Sequence, residues 1–166
     1  HAGANVANTG AGRPLIAPSP IMSRLSRETP KQMTISEIDE IVDAHGTAAV
    51  RVRKGNLDGV ELLSAFGYLP AAFLSPYSNT RTDDYGGSLE NRMRFLLRII
   101  DVVRTSVGRN RILGVRLPGD ERVAGGLTQS DLQKIARLLA QTGLVDYLNI
   151  IVGTNYERAG RMDHWP

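Results

Sequence analysis

Two side chains near the ends of apolar runs could take part in redox or proton-transfer chemistry. Arg116 is the next-to-last residue of the run Arg111–Leu117 ("RILGVRL"), and Tyr68 in "GYLP" follows the run Gly59–Leu63 ("GVELL"). A guanidinium keeps its charge and can stabilise a developing anion, while a phenol with a pKa of about 10 can donate a proton near neutral pH. Taken alone, such residues are more often a salt-bridged strand-end arginine and a buried aromatic whose hydroxyl bonds to backbone.

A third candidate is the polar stretch Ser75–Phe95, "SPYSNTRTDDYGGSLENRMRF". A loop with this many hydrogen-bonding groups must satisfy the ones that it buries. We therefore expect its role to be chiefly architectural, with Gly86 and Gly87 forming a tight turn. Forked ion pairs are expected among its guanidiniums and carboxylates, namely Arg81, Arg92 and Arg94 with Asp83 and Glu90.

The elements that must position these residues are predicted by hydrophobic periodicity. Apolar residues at helical spacing indicate helices that begin after the N-caps Thr34, Ser88 and Thr128, with Glu37 completing a capping box for the first. Residues 1–33 are rich in Gly, Pro, Ser and Asn and are predicted to be irregular. Helix ends are predicted at Asn56, Gly108 and Gly143, and short apolar strands at Gly59–Leu63, Arg111–Leu117 and Val145–Ile151.

Alternating helices and apolar strands predict parallel βα units, in either an open doubly wound sheet or a (β/α)8 TIM barrel. No G-x-G-x-x-G follows any predicted strand, which favours the barrel. A complete barrel takes about 250 residues, so we expect residues 1–166 to cover roughly its middle half as one partial domain, with no second domain.

Composition excludes several classes of function. The net charge is only +3 and no basic run alternates with aromatics, which argues against nucleic-acid binding. The 166 residues contain no cysteine, so thiolate-ligated metals and iron–sulfur clusters within them are excluded. No apolar run approaches the roughly 20 residues of a membrane span, and no signal-peptide pattern is present. We expect a cytoplasmic protein with no metal site in this segment.

With the elements placed, "NTRTDDYGGSLENRMRF" resembles a signature of the old yellow enzyme family of FMN-dependent oxidoreductases. Further motifs in the family's order are "HAG", "APSPI", "DGVELL", "GYL", "GVRL", "GGLT" and "DYLNI". The resemblance implies a TIM barrel that binds FMN at the carboxyl ends of its strands. This chain would then run from the end of barrel strand three to just after strand six.

The resemblance also assigns roles to individual residues. Arg116 matches the arginine that lies against the flavin N1 and C2 carbonyl, and Tyr68 matches the catalytic tyrosine that donates a proton opposite the hydride. The family's alkene reductases carry a His–His or His–Asn pair that grips the substrate oxygen. Leu63 and Phe66 stand at those positions here, as substrate-binding residues that cannot donate a hydrogen bond.

This departure argues against enone reduction, and "YLP" followed by "FLSPYSN" most resembles the trimethylamine-dehydrogenase-like branch of the family. That branch's usual Tyr and His on this strand are also missing, so a bulkier methylated amine fits better than trimethylamine itself. We expect oxidation of an N-methylated amine or betaine, with Phe66 and Tyr68 presenting aromatic faces to a substituted ammonium. The alternatives are an NAD(P)H-dependent alkene or 2,4-dienoyl-CoA-type reductase and a non-catalytic half-barrel. We further expect the rest of the parent protein to bind NAD(P)H or an iron–sulfur cluster, and the parent to form a homo-oligomer. We expect the isolated segment to show little FMN binding or activity.

Overall fold

Helices and strands alternate along most of the chain. The computed structural model describes residues 3–5, 14–24 and 27–153. Its helices are α1 Ile35–Lys54, α2 Leu69–Leu74, α3 Leu89–Val107 and α4 Gln129–Gln141. Its strands are β1 Ile16–Ala17, β2 Lys31–Gln32, β3 Gly59–Leu63, β4 Ile112–Asp120 and β5 Tyr147–Val152.

The main sheet has the order β3-β4-β5, and both of its strand pairs are parallel. Successive side chains of a strand point to opposite faces of a sheet. On β4 one set, Leu113, Val115 and Leu117, is almost fully buried in a hydrophobic core shared with the helices. The alternate residues, Gly114 and Arg116, therefore lie on the opposite face, which corresponds to the inner face of the predicted barrel.

The helices begin where the N-cap residues predict. Thr34 accepts a hydrogen bond from the Glu37 amide and Ser88 accepts one from Asn91, while Thr128 forms a capping box with its own N3 residue. Each cap satisfies backbone donors that have no partner within the helix. The predicted helix ends also have positive φ, with 52° at Asn56, 87° at Gly108 and 62° at Gly143.

Helices α1 and α3 lie against each other on the outer side of the sheet. A Cβ placed on Gly46 of α1 would lie only 2.7 Å from Cγ2 of Val102 on α3, so the glycine permits this close approach. Nearby, the rings of Phe73 and Phe95 stack at 4.3 Å between centroids and join α2 to the same core. This packing joins α1, α2 and α3 in one hydrophobic core.

Several sequence-based boundaries are corrected. Strand β4 continues to Asp120 rather than Leu117, and β5 begins at Tyr147 rather than Val145. Helix α2 was not predicted because six residues with an internal proline carry too little periodicity. Residues 14–33 are not wholly irregular, because β1 and β2 form a two-residue parallel pair.

Arg81 confirms the architectural role predicted for the loop 75–95. Its side chain is buried and forms a forked pair with Asp83 at 2.9 and 2.5 Å. The remaining nitrogen, Nη1, donates to the carbonyls of Pro18 and Met33. One guanidinium therefore ties the loop to the N-terminal segment.

The ion pairs predicted for Arg92 and Arg94 with Glu90 are wrong. Arg92 donates to the carbonyls of Leu74 and Gly87. Arg94 donates to the carbonyl of Asp84 and to the Asn91 side chain. The turn brings backbone carbonyls closer to both guanidiniums than the exposed Glu90 carboxylate, and sequence spacing alone does not reveal this.

A buried carboxyl group anchors the loop that follows β4. Glu121 is 1% exposed, and its Oε2 accepts hydrogen bonds of 2.6 Å from the Ser75 hydroxyl and from the Leu127 amide. Its Oε1 is buried without a hydrogen-bond partner in the described part of the chain. Burial raises the pKa of Glu121 and outweighs the two hydrogen bonds, which lower it.

Glu121→Gln should alter the pH dependence of stability. Because the folded pKa is raised, the stability due to this group is fully present below the unfolded value of about 4.3 and is lost as pH rises through the folded value. The variant lacks this loss, so its free energy of unfolding relative to wild type should increase toward neutral pH. Urea titrations at a series of pH values measure this difference.

Asp131→Asn is the control of opposite sign. Hydrogen bonds from the Thr128 side chain and backbone lower the pKa of Asp131, so wild-type stability from this group is lost on acidification. A pH-independent difference between Glu121→Gln and wild type would contradict the raised pKa.

Candidate functional site

Charged and polar side chains from all three strands meet on the inner face of the sheet. Arg116 Nη2 lies 2.7 Å from Glu61 Oε1, across the β3–β4 pair. Glu61 Oε2 accepts hydrogen bonds from the Tyr147 hydroxyl at 2.9 Å and from Asn149 Nδ2 at 3.0 Å, both on β5. We call Glu61, Arg116, Tyr147 and Asn149 the inner-face cluster.

The register of the strands creates this cluster. Leu63 on β3 is paired with Arg116 on β4, and Arg116 is paired with Asn149 on β5. Glu61 precedes Leu63 by two residues and therefore points to the same face. A slip of one residue in either pair would turn one side of the cluster toward the hydrophobic core.

A glycine lets the tyrosine span the middle strand. Gly114 pairs with Tyr147 in the register, and a Cβ on Gly114 would lie 2.2 Å from Cζ of that ring. The ring therefore occupies the space that a side chain on β4 would take. This position allows a hydroxyl on β5 to reach a carboxylate on β3, two strands away.

The Glu61 carboxylate is held in its ionised form. Burial alone would raise its pKa, but hydrogen bonds from Asn149 and Tyr147 and the charge of Arg116 outweigh burial and lower it. The hydrogen bond from Tyr147 to Glu61 also raises the pKa of Tyr147, since loss of the phenol proton would place two anions together. The cluster therefore contains one carboxylate and one guanidinium at neutral pH.

Arg116 has a donor that the described residues do not satisfy. Its Nε is buried and has no hydrogen-bond partner there, whereas its Nη2 is bound to Glu61. A buried charged donor without an acceptor is costly. The site thus fits a ligand that brings a hydrogen-bond acceptor to Nε, such as the carbonyl and ring nitrogens of FMN.

The turn after β3 carries two of the predicted site residues. Phe66 and Gly67 have φ values of 59° and 72°, a conformation that is uncommon for a bulky side chain. Tyr68 is the N-cap residue of α2. The rings of Phe66 and Tyr68 meet edge to face with centroids 6.5 Å apart, so the turn presents an aromatic pair beside Leu63.

Asn5 holds this turn from the N-terminal segment. Its Nδ2 donates to the carbonyls of Phe66 and Gly67 at 3.2 and 3.3 Å, and its Oδ1 accepts from the Ser23 hydroxyl. Asn5 is itself buried. The left-handed turn is therefore held by a residue 61 and 62 positions away along the chain, and Ser23 in turn holds that residue.

The structure thus places Leu63 and Arg116 on paired strand positions, with Phe66 and Tyr68 together in the next turn. Their roles toward substrate and flavin stay predictions. Sequence reasoning missed the remaining contributors, Asn5, Glu61, Tyr147 and Asn149. The available signal was polar residues at alternate positions of otherwise apolar strands, as in "GVELL" and "YLNIIV".

A cleft of about 250 Å³ lies along β3, between that strand and α1. Leu63 and Tyr68 border it on one side, and His45 and Val52 of α1 border it on the other. In the described residues β3 is an edge strand, and in an eight-stranded barrel another strand pairs along this edge. The cleft therefore does not by itself define a ligand site.

The described residues contain neither a metal-ligand cluster nor a membrane-spanning helix. No group of three or more acidic or histidine side chains there could hold a metal ion. No helix there combines the length and apolar character that a membrane crossing requires.

Comparison with known proteins gives consistent matches. The sequence model of the NADH:flavin oxidoreductase / NADH oxidase family matches residues 4–158. The chain is 42% identical over 140 residues to a probable N-methylproline demethylase of Rhizobium meliloti, covering 84% of this chain and 20% of that protein. It is 40% identical over 137 residues to an N,N-dimethylglycine/sarcosine dehydrogenase of Chromohalobacter salexigens, covering 82% and 20%.

Among solved structures, a 2-naphthoyl-CoA reductase in complex with 2-naphthoyl-CoA matches with a TM-score of 0.80 and 36% identity, over 87% of this chain and 22% of that one. The chain spans about a fifth of the length of these three proteins. The structural matches confirm that its βα units are part of a TIM barrel rather than of an open doubly wound sheet.

Gly114→Ala should destabilise the protein through its clash with Tyr147. The φ of Gly114 is not positive, so the effect is steric. Because Tyr147 is 42% exposed, its ring can turn away at the loss of its hydrogen bond to Glu61, and we expect a cost of about 1 kcal/mol in the free energy of unfolding. In the Tyr147→Ala background the same substitution should cost much less. Chemical denaturation of the four proteins of this double-mutant cycle measures the coupling, and additive costs would contradict the packing described.

Proposed function

The chain belongs to the NADH:flavin oxidoreductase / NADH oxidase family, and on that premise we propose that the protein is an FMN enzyme that oxidises an N-methylated amine or betaine. The observation that supports this proposal is the apolar and aromatic character of the side chains at the end of β3 and in the turn after it. Leu63 is paired with Arg116 in the strand register, and the Phe66–Tyr68 aromatic pair lies in the turn after Leu63. Neither Leu63 nor Phe66 offers a hydrogen bond to a substrate oxygen.

We assign Arg116 to the flavin. When bound, FMN supplies an acceptor for the two electrons taken from the substrate. The guanidinium remains charged throughout and is held by Glu61, and its unsatisfied Nε is the donor available to the cofactor. A fixed cation next to a group that gains negative charge stabilises the reduced state more than the oxidised state.

We assign Phe66 and Tyr68 to the substrate. A substituted ammonium is attracted to the faces of aromatic rings, and its methyl groups are compatible with an apolar neighbour such as Leu63. Oxidation at an N-methyl carbon yields an iminium that water converts to formaldehyde and the demethylated amine. The names of the N-methylproline and N,N-dimethylglycine/sarcosine relatives support this substrate class.

A second candidate is an NAD(P)H-dependent reductase of a conjugated thioester or alkene. The likeness to 2-naphthoyl-CoA reductase favours it, and so does Tyr68, whose hydroxyl could supply the proton that reduction requires. The absence of a hydrogen-bond donor at positions 63 and 66 counts against it, because the substrate oxygen would develop negative charge there without support.

An iron–sulfur cluster elsewhere in the protein and a homo-oligomer stay predictions.

Arg116→Gln should affect flavin reduction more than flavin binding. The variant loses a charge whose effect is largest in the reduced state, so the rate of reduction should fall by about tenfold or more with a smaller change in the dissociation constant of oxidised FMN. Stopped-flow reduction and fluorescence titration of the FMN-reconstituted protein provide the two values. Equal effects on both would contradict a role in the reduced state.

Substrate choice is tested with the wild type and the double variant Leu63→His/Phe66→His. The wild type should release formaldehyde from N-methylproline or N,N-dimethylglycine and reduce 2-cyclohexenone slowly. The double variant should gain enone reduction by about tenfold or more, because it acquires donors for the carbonyl oxygen. Rapid enone reduction by the wild type, without formaldehyde release, would reject the proposed function in favour of the reductase.

A further inference from the structure

We propose that Glu61 is a positioning residue for Arg116, and that by holding this guanidinium and offsetting part of its charge it keeps the reduction potential of the flavin low. The inference rests on the proposed contact between Arg116 and FMN. It does not depend on which substrate the protein oxidises.

Two nitrogens of the Arg116 guanidinium differ in their contacts. Nη2 is committed to Glu61 at 2.7 Å, whereas Nε is buried and has no partner in the described residues. A guanidinium is planar and rigid, so fixing one nitrogen sets the direction of the others. Glu61 therefore determines where the Nε–H of Arg116 points.

The carboxylate is itself held firmly. Oε1 receives Arg116, while Oε2 receives both the Tyr147 hydroxyl and Asn149 Nδ2. Gly114 provides the space that allows the tyrosine to reach it. A carboxylate that accepts from three donors on the other two strands, β4 and β5, has little freedom to move or to take up a proton.

The pairing also changes the field that reaches a ligand. A lone guanidinium acts as a full positive charge, whereas a guanidinium 2.7 Å from a carboxylate acts as a dipole. The field of a dipole falls off faster with distance than that of a single charge. At the flavin the carboxylate therefore cancels part, but not all, of the stabilisation that Arg116 gives to the reduced state.

The experiment compares reduction potentials of the FMN-reconstituted full-length protein. Glu61→Gln keeps the size of the side chain and one acceptor oxygen, which can serve either Arg116 or the Tyr147 and Asn149 donors, and it removes the negative charge. Its potential should shift to a less negative value. Equivalently, the ratio of FMN dissociation constants, oxidised over reduced, should rise by about tenfold. Dye-coupled titration measures the potential.

The matched control is Asp39→Asn. It neutralises an ion pair of the same 2.7 Å length, Arg98–Asp39, on the outer face of α1 and α3. This variant should leave the potential unchanged. Glu61→Asp serves if Glu61→Gln does not fold: it keeps the charge but is too short to maintain the 2.7 Å contact, and it should shift the potential in the same direction by less.

The outcomes separate the inference from its premise. An unchanged potential in Glu61→Gln, together with a more negative one in Arg116→Gln, would reject the role of Glu61 and leave the arginine contact intact. No shift in Arg116→Gln would reject the contact and the inference with it. In the Arg116→Gln background, Glu61→Gln should shift the potential by clearly less, because the direct field of the carboxylate remains while its hold on Arg116 is gone. A shift of the same size in both backgrounds would show that Glu61 does not position Arg116.

Discussion

The parallel register of β3, β4 and β5 is the constraint on which the site depends. It pairs Leu63 with Arg116 and Arg116 with Asn149. The register itself is enforced from the other face, where Leu113, Val115 and Leu117 are buried against the helices. Shifting β4 by one residue would bury Arg116 and expose those three apolar side chains, at a cost of several kcal/mol. Packing on the outer face thus maintains the polar arrangement on the inner face.

Buried ionisable side chains fix the connections around this sheet. At the carboxyl side, Arg81 and Glu121 join their loops to distant backbone and side-chain groups. At the amino side, buried Arg104 donates to the carbonyls of Leu144, Gly108 and Arg111 and pairs with Asp146 at 2.6 Å. Because each such group would be costly to bury without partners, it permits few alternative loop conformations. The turn that carries Phe66 and Tyr68 is held in a similar way by the neutral side chain of Asn5.

The site that we propose combines the Glu61–Arg116 ion pair with apolar and aromatic side chains of β3 and the turn after it. Leu63 is paired with Arg116 in the strand register, and the rings of Phe66 and Tyr68 meet in the turn that follows. Such a lining suits a substrate that carries a substituted cation or apolar groups better than one that requires a hydrogen bond at its oxygen. In our proposal Glu61 acts on the flavin through Arg116. A substitution of Glu61 would therefore change the reduction potential of the flavin without changing a residue that contacts the substrate.

The sequence by itself determined the order of βα units, the N-caps at Thr34, Ser88 and Thr128, and the family, because these depend on local capping chemistry, periodicity and contiguous motifs. It also identified Arg116, Leu63, Phe66 and Tyr68 as candidates. Only the tertiary structure decided that Arg92 and Arg94 bind backbone carbonyls rather than Glu90, and that Glu61, Tyr147 and Asn149 meet at Arg116. These contacts join residues up to 88 positions apart. They follow from strand register and from the space above Gly114, which no local pattern in the sequence specifies.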